Sequence, residues 1–191
     1  MREIVKLGVI LLIICSIAAL FLGLTYEFTI DQILAQRKAI NEQARKEVLP
    51  EAQEFKPIDE DVLNKIISEN DTIKEIYGGY KEGNIIGYAI KTAPQGYGGP
   101  VEVITGISKD GKISGVRIGN HLETPGLGAN ATNPSFYKQY HNKSIDKKLE
   151  VVKASPGENE IQALSGATIT SDAVTDGVNY SIEAFKTITG K

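Results

Sequence analysis

Residues 101–118 read VEVITGISKDGKISGVRI. Val101, Val103, Thr105 and Ile107 recur at every second position, the period of a strand that turns one face to a core. Asp110-Gly111 is a strong hairpin signal, with both central positions expected at positive φ. Residues 113–118 then form the return strand. A hairpin of this kind builds an antiparallel sheet, and the same texture continues outward from it. Residues 73–80 and 85–92 read as strands joined by a turn at Glu82-Gly83-Asn84, and residues 149–153 as a further strand. Helices are expected where the period lengthens. A short one runs through Val62, Leu63, Ile66 and Ile67, capped by Asp61. Another lies around residues 134–140. The last covers residues 171–187, where Val174, Val178, Ile182 and Phe185 fall near one helical face. The domain, expected from Ile58 onward, is α+β: an antiparallel sheet with packed helices.

Residues 7–26, LGVILLIICSIAALFLGLTY, carry no charge. Twenty helical residues span about 30 Å, the thickness of a bilayer core. Arg2 and Lys6 precede the stretch and Glu27 and Asp31 follow it, a bias that favours a cytoplasmic N-terminus. The rival reading is a cleaved signal peptide. The apolar run exceeds the usual ~7–15 residues of such a segment, and no A-x-A site follows it. Residues 1–27 are therefore expected to be a retained single-pass anchor. Residues 28–57 are expected to be an extracytoplasmic helical stalk and linker, with Ile33, Ile40, Ala44 and Val48 near helical spacing and Pro50 and Pro57 bracketing the stop. Residues 58–191 are expected to be the folded domain.

The remaining composition narrows the chemistry. With 24 acidic and 21 basic side chains in 191 residues, the chain has no basic excess to argue for nucleic acid. Its one cysteine, Cys15, lies in the apolar block, so no intrachain disulfide or cysteine-held cluster can form. His121 and His141 alone are a poor basis for a zinc site. There is no G-x-G-x-x-G fingerprint and no spaced Ser-His-Asp set. Redox chemistry on this chain would need an organic cofactor.

Residues 165–172, SGATITSD, form a small-residue loop where a helix begins. Thr170 or Ser171 can cap that helix. Gly166 and Ala167 let backbone amides approach a ligand, and a helix N-terminus suits a phosphate. An ordinary helix cap accounts for the same residues. Two further stretches stand out: HLETPGLG at residues 121–128 and APQGYGG at 93–99. Pro125 followed by glycine makes a fixed turn after a strand. A plain strand-end turn is the simpler account of it. Tyr97 could stack on a flat cofactor ring, and a half-buried turn tyrosine accounts for it at least as well.

Taken together, the three stretches resemble one family in its own order, behind an N-terminal membrane helix. Ser165 to Thr168 resembles the [S/T]GAT flavinylation motif of FMN-binding domains in Rnf and Na⁺-translocating NADH:quinone reductase complexes. Residues 121–128 resemble the family's H-x-E-T-P-G-L-G segment, and residues 93–99 its A-P-x-G-Y-x-G turn. The resemblance covers essentially the whole chain, and its compact length favours the G subunit family of Rnf-type electron transport complexes. It implies covalent FMN, joined by a phosphodiester to Thr168 by a separate flavin transferase that uses FAD. It places Ser165, Gly166, Ala167 and Thr170 around the attachment, and Glu123, Thr124 and Leu127 beside the ring. It implies membrane-subunit partners and electron relay on the outer side of the membrane, within an ion-translocating ferredoxin:NAD⁺ oxidoreductase. The alternative within the family is the C subunit of the Na⁺-translocating quinone reductase, which is usually longer. An alternative from another class is an anchored, unmodified scaffold module. One position departs from the pattern: Gln162 stands where the family often carries Asp.

Overall fold

The computed structural model describes residues 1–190. The chain divides into two compact units, Met1–Asn41 and a second that begins at Glu42. Helix α1, Arg2–Val48, runs through the first unit and supplies the opening turns of the second. Its apolar stretch is exposed along its whole length, with no protein covering it. The helix stops two residues before Pro50, as the ring of that residue requires.

The second unit is built on a five-stranded antiparallel sheet in the order β1-β2-β3-β4-β5, with β1 Glu54–Pro57, β2 Ile73–Lys81, β3 Asn84–Thr92, β4 Val103–Ser108 and β5 Ile113–Ile118. The α+β expectation is met. The β3–β4 register runs from Gly87 opposite Ser108 to Thr92 opposite Val103.

Several local expectations are corrected. Residues 54–57, placed in the linker from sequence, form the edge strand and pair with Tyr77 to Tyr80. The Asp110-Gly111 hairpin is not a two-residue loop. Gly111 N–H donates to Ser108 O, and only Gly111 has positive φ, at 82°. That is a tight turn closed by a left-handed glycine, the three-residue alternative. The pair with two positive φ values is Glu82-Gly83 instead, at 52° and 80°. Helix α2, Glu60–Glu69, is capped by Asp59, whose carboxylate accepts the Asp61 N–H, so the cap lies two residues earlier than expected. Strands β6, Glu150–Val152, and β7, Glu160–Gln162, pair with each other in parallel, outside the main sheet.

Helix α4, Thr168–Thr189, closes one face of the sheet. Its Val174, Val178, Ile182 and Phe185 join Ile76, Ile90, Val103 and Ile107 in the main core, as the helical spacing predicts. Helix α3, Pro134–Tyr137, adds the buried Phe136. Polar pairs fix the seat of α4. Asn179 bonds both the N–H and the carbonyl of Leu149, and the Tyr140 hydroxyl meets Thr175 at 2.8 Å. Buried polar groups satisfied in this way set a unique register.

The opposite face is covered too, which the alternation of β4 did not indicate. Val48, Ala89 and Ile104 form a second buried cluster, flanked by Ala44 and Phe55. A side chain at Gly106 or Gly115 would press into the Val48 backbone, so this close seating requires those glycines. Arg45 stacks over Tyr77 at 4.0 Å, and Arg117 pairs with Glu47 at 2.6 Å. The Arg117 guanidinium, with Gln43, holds the Glu47 carboxyl below its ordinary range.

Candidate functional site

In an antiparallel sheet, β3 and β5 run the same way on either side of β4. The loops after them therefore leave from one end of the sheet, and they carry residues 93–99 and 119–128. The N-terminus of α4 arrives beside them. The three stretches singled out in the sequence thus converge.

The joint between them is Glu123. Its side chain is buried, with 6% of the residue exposed. Oε1 accepts the Gly98 N–H at 3.0 Å, and Oε2 accepts the Thr170 hydroxyl at 2.6 Å. One carboxylate therefore ties the 93–99 turn, its own loop and the first turn of α4. Added carbons at Gly96 or Gly128 would collide with its oxygens. We expect Gly128→Ala, which also crowds the Thr170 hydroxyl, to cost about 1–3 kcal/mol through overpacking. A thermal melt checks it, and an unchanged Tm would refute this account of the tie.

Thr124-Pro125-Gly126-Leu127 is a turn closed by Leu127 N–H to Thr124 O at 3.1 Å, with Gly126 at φ 78°. Proline second and a left-handed residue third is the signature of a type II turn. It sets Leu127 against Gly166 of the neighbouring loop.

Between these parts lies a cavity of about 650 Å³, lined by Tyr97, Glu123, Thr124, Leu127, Gly128 and residues 166–170. That volume lies in the usual range for small-molecule sites. Its rim is unusual for a protein surface. From Glu42 onward, the exposed large hydrophobics are Val62, Tyr97, Leu122, Leu127 and Ile169. Three of these five line the cavity, and Leu122 stands beside the Gly98-Gly99 turn. Apolar surface gathered at one concavity marks a ligand or docking site rather than scatter.

The sequence-predicted residues divide sharply. Gly166, Ala167, Thr168, Thr170, Glu123, Thr124 and Leu127 all line the cavity. Ser165 is exposed and does not. Glu123, expected beside the ring, lines the cavity and is also the buried tie. The helix begins at Thr168, three residues earlier than expected, and neither Thr170 nor Ser171 caps it. Ala167 stands at the N-cap with no side-chain bond, because Gly166, at φ 73°, turns the chain into the helix earlier. The Thr170 hydroxyl is taken by Glu123, and the Ser171 hydroxyl donates to Ala167 O and accepts the Leu164 N–H. Thr170 is 1% exposed, whereas Thr168 is exposed. Of the two, only Thr168 presents a free surface to a reagent. Ile169 and Gly128 were missed as lining residues. Both lie inside the stretches singled out, and Tyr97, with a half-buried turn position as one reading, is exposed and lines the cavity.

The first amides of α4 have no intrahelical acceptor and carry the positive end of the helix dipole. Apolar walls for a flat ring, amide donors for a phosphate and a hydroxyl between them fit a flavin mononucleotide.

Comparison with known proteins agrees. The family described as FMN-binding domain matches residues 96–183, a span that takes in the cavity-lining residues. Fold and site together define a flavin-binding domain protein. The G subunit of the Na⁺-translocating ferredoxin:NAD⁺ oxidoreductase complex of Acetobacterium woodii is 43% identical over 98% of this chain and 94% of its own length. The G subunit of the proton-translocating complex of Clostridium ljungdahlii is 36% identical over 94% and 90%. The chain belongs to the family of G subunits of ion-translocating oxidoreductase (Rnf) complexes. In fold it is similar to NqrC of Shewanella oneidensis, with a TM-score of 0.57 at 18% identity, covering 78% of this chain and 95% of that one. The C subunit of the Na⁺-translocating NADH-quinone reductase of Parabacteroides distasonis gives 0.56 at 19%, over 80% and 95%.

Proposed function

We infer that this chain is the FMN-carrying electron-transfer subunit of a membrane-bound, ion-translocating ferredoxin:NAD⁺ oxidoreductase. The single observation that carries this is near-full-length identity of 43% to a G subunit of such a complex, joined to a cavity built from the matching motifs. FMN supplies the electron acceptance and release. The protein's own residues present, hold and shield it.

We further propose that FMN is covalent, on Thr168. A flavin transferase would cleave the pyrophosphate of FAD, joining the FMN phosphate to the Thr168 oxygen and releasing AMP. The exposure of Thr168 at the α4 N-terminus supports this, since the dipole and the free amides there favour the phosphate that remains. In-gel fluorescence of the denatured protein after coexpression with the transferase tests it. A fluorescent band supports the carrier, and a dark band returns the scaffold reading. The quinone-reductase alternative keeps fold-level support only, because its structural neighbours share under a fifth of their residues with this chain.

For placement, residues 1–27 are read as the anchor and residues 28–41 as the connection outward, with the flavin domain extracytoplasmic and the other membrane subunits of the complex as partners. The charge bias of Arg2 and Lys6 supports that orientation. In a Cys15→Ser background, Lys112→Cys should react with an impermeant maleimide in intact cells, since Lys112 is exposed. Labelling only after lysis would reverse the orientation.

A further inference from the structure

Glu123 carries a cost that a structural tie alone does not need. Its carboxylate is buried, and burying a carboxylate is unfavourable without a cation or a full set of donors. No lysine, arginine or histidine lines its cavity. It takes part in none of the ion pairs among the described residues. His121 meets only its backbone, accepting the Glu123 N–H on Nδ1 at 3.3 Å. Both carboxylate oxygens act as acceptors, toward Gly98 and Thr170. A glutamine would fill the same space and keep the bond from Gly98. What the acid adds over the amide is a negative charge on the wall of the flavin cavity.

We propose that Glu123 is a positioning and tuning residue, whose charge holds the reduction potential of the bound FMN low. The inference rests on the reading of the site as an FMN site. Two-electron reduction with uptake of one proton leaves a net negative charge on the ring, the electrons coming from a low-potential donor such as dithionite. A buried carboxylate on the cavity wall, with no cation on that wall to offset it, opposes that charge. The oxidised form is favoured, and the reduced cofactor becomes a stronger donor. The Thr170 hydroxyl works against this, because its donated bond partly offsets the carboxylate. The two partners therefore act on the potential in opposite senses, although both serve the same tie.

The test uses full-length protein, flavinylated in cells and purified in detergent, titrated with dithionite against a reference dye. Intact mass first establishes loading of the parent chain and of each variant. E123Q should raise the reduced-to-oxidised ratio at fixed ambient potential at least tenfold, an upward shift of about 30 mV for a two-electron couple. Thr170→Val should shift it downward, because the carboxylate keeps its charge and loses its donor. Glu123→Asp, which retains the charge, should stay on the parent's side of E123Q. Shifts of E123Q and Thr170→Val in the same direction, or none in E123Q, would overturn the proposal, since loss of the tie would then explain everything. So would an E123Q chain that fails to fold or load beside a loaded parent, because the residue would then be a structural tie. A parent chain without FMN defeats the underlying reading instead, and the inference falls with it.

Discussion

A Thr168→Ala chain coexpressed with the flavin transferase carries no FMN mass increment, and its Tm stays within about 2 °C of the parent. The first half follows from presentation, since Thr168 is an exposed hydroxyl on the cavity wall and stands at the α4 N-terminus, where free amides favour the phosphate. The second follows from the lack of any hydrogen bond from its side chain that the fold relies on, and exposed substitutions of this kind change stability by less than about 0.5 kcal/mol. Thr170→Ala gives the opposite pattern. Its hydroxyl is buried and donates to Glu123. Removing it strips a donor from a buried carboxylate, at a cost of about 1–3 kcal/mol, while the acceptor at Thr168 remains. Intact mass and a thermal melt on the two variants separate attachment from stability. A mass increment retained on Thr168→Ala, or lost only on Thr170→Ala, would move the acceptor.

The same pair of threonines shows what the sequence could tell. The two-residue period of β4 and the face shared by Val174, Val178, Ile182 and Phe185 are local patterns, and local patterns were enough for the sheet and for α4. Nothing local distinguishes Thr168 from Thr170, two residues apart on one helix. Their difference is a contact with Glu123, 47 positions away from Thr170. The resemblance grouped the three motifs without saying what joined them, because a carboxylate that binds a backbone amide leaves no pattern in sequence. The turn at residues 108–111 departs from expectation for a related reason. Asp-Gly admits two loop lengths, and strand register, set by the whole meander, chose between them.

The second cover of the sheet was the other illegible element, and it carries the largest stability effect. A fragment beginning at Ile58, the domain boundary read from sequence, loses Val48, Leu49 and strand β1. Val48 is fully buried and Leu49 nearly so, and each such side chain contributes about 1.5–3 kcal/mol. Ala89 and Ile104 lose their cover, and β2 becomes an exposed edge. The ion pairs of Arg45 and Glu47 vanish as well, a smaller matter at a partly exposed surface. The sum, at least about 3–6 kcal/mol, rivals the whole stability of an ordinary domain, about 5–15 kcal/mol. A fragment beginning at Glu42 keeps all of this. We therefore expect the Glu42 fragment to melt cooperatively, accept FMN and be reduced by dithionite. The Ile58 fragment should be unfolded or aggregated at the same temperature. Equal melting temperatures for the two would mean that residues 42–57 do not belong to the folded domain. The Glu42 fragment should still restore little ferredoxin–NAD⁺ activity to membranes lacking the native chain. Residues 7–26 are absent from it, and without them no tether raises the local concentration of the flavin beside its partners. Full restoration by the soluble fragment at stoichiometric concentration would leave the docking to the folded domain alone.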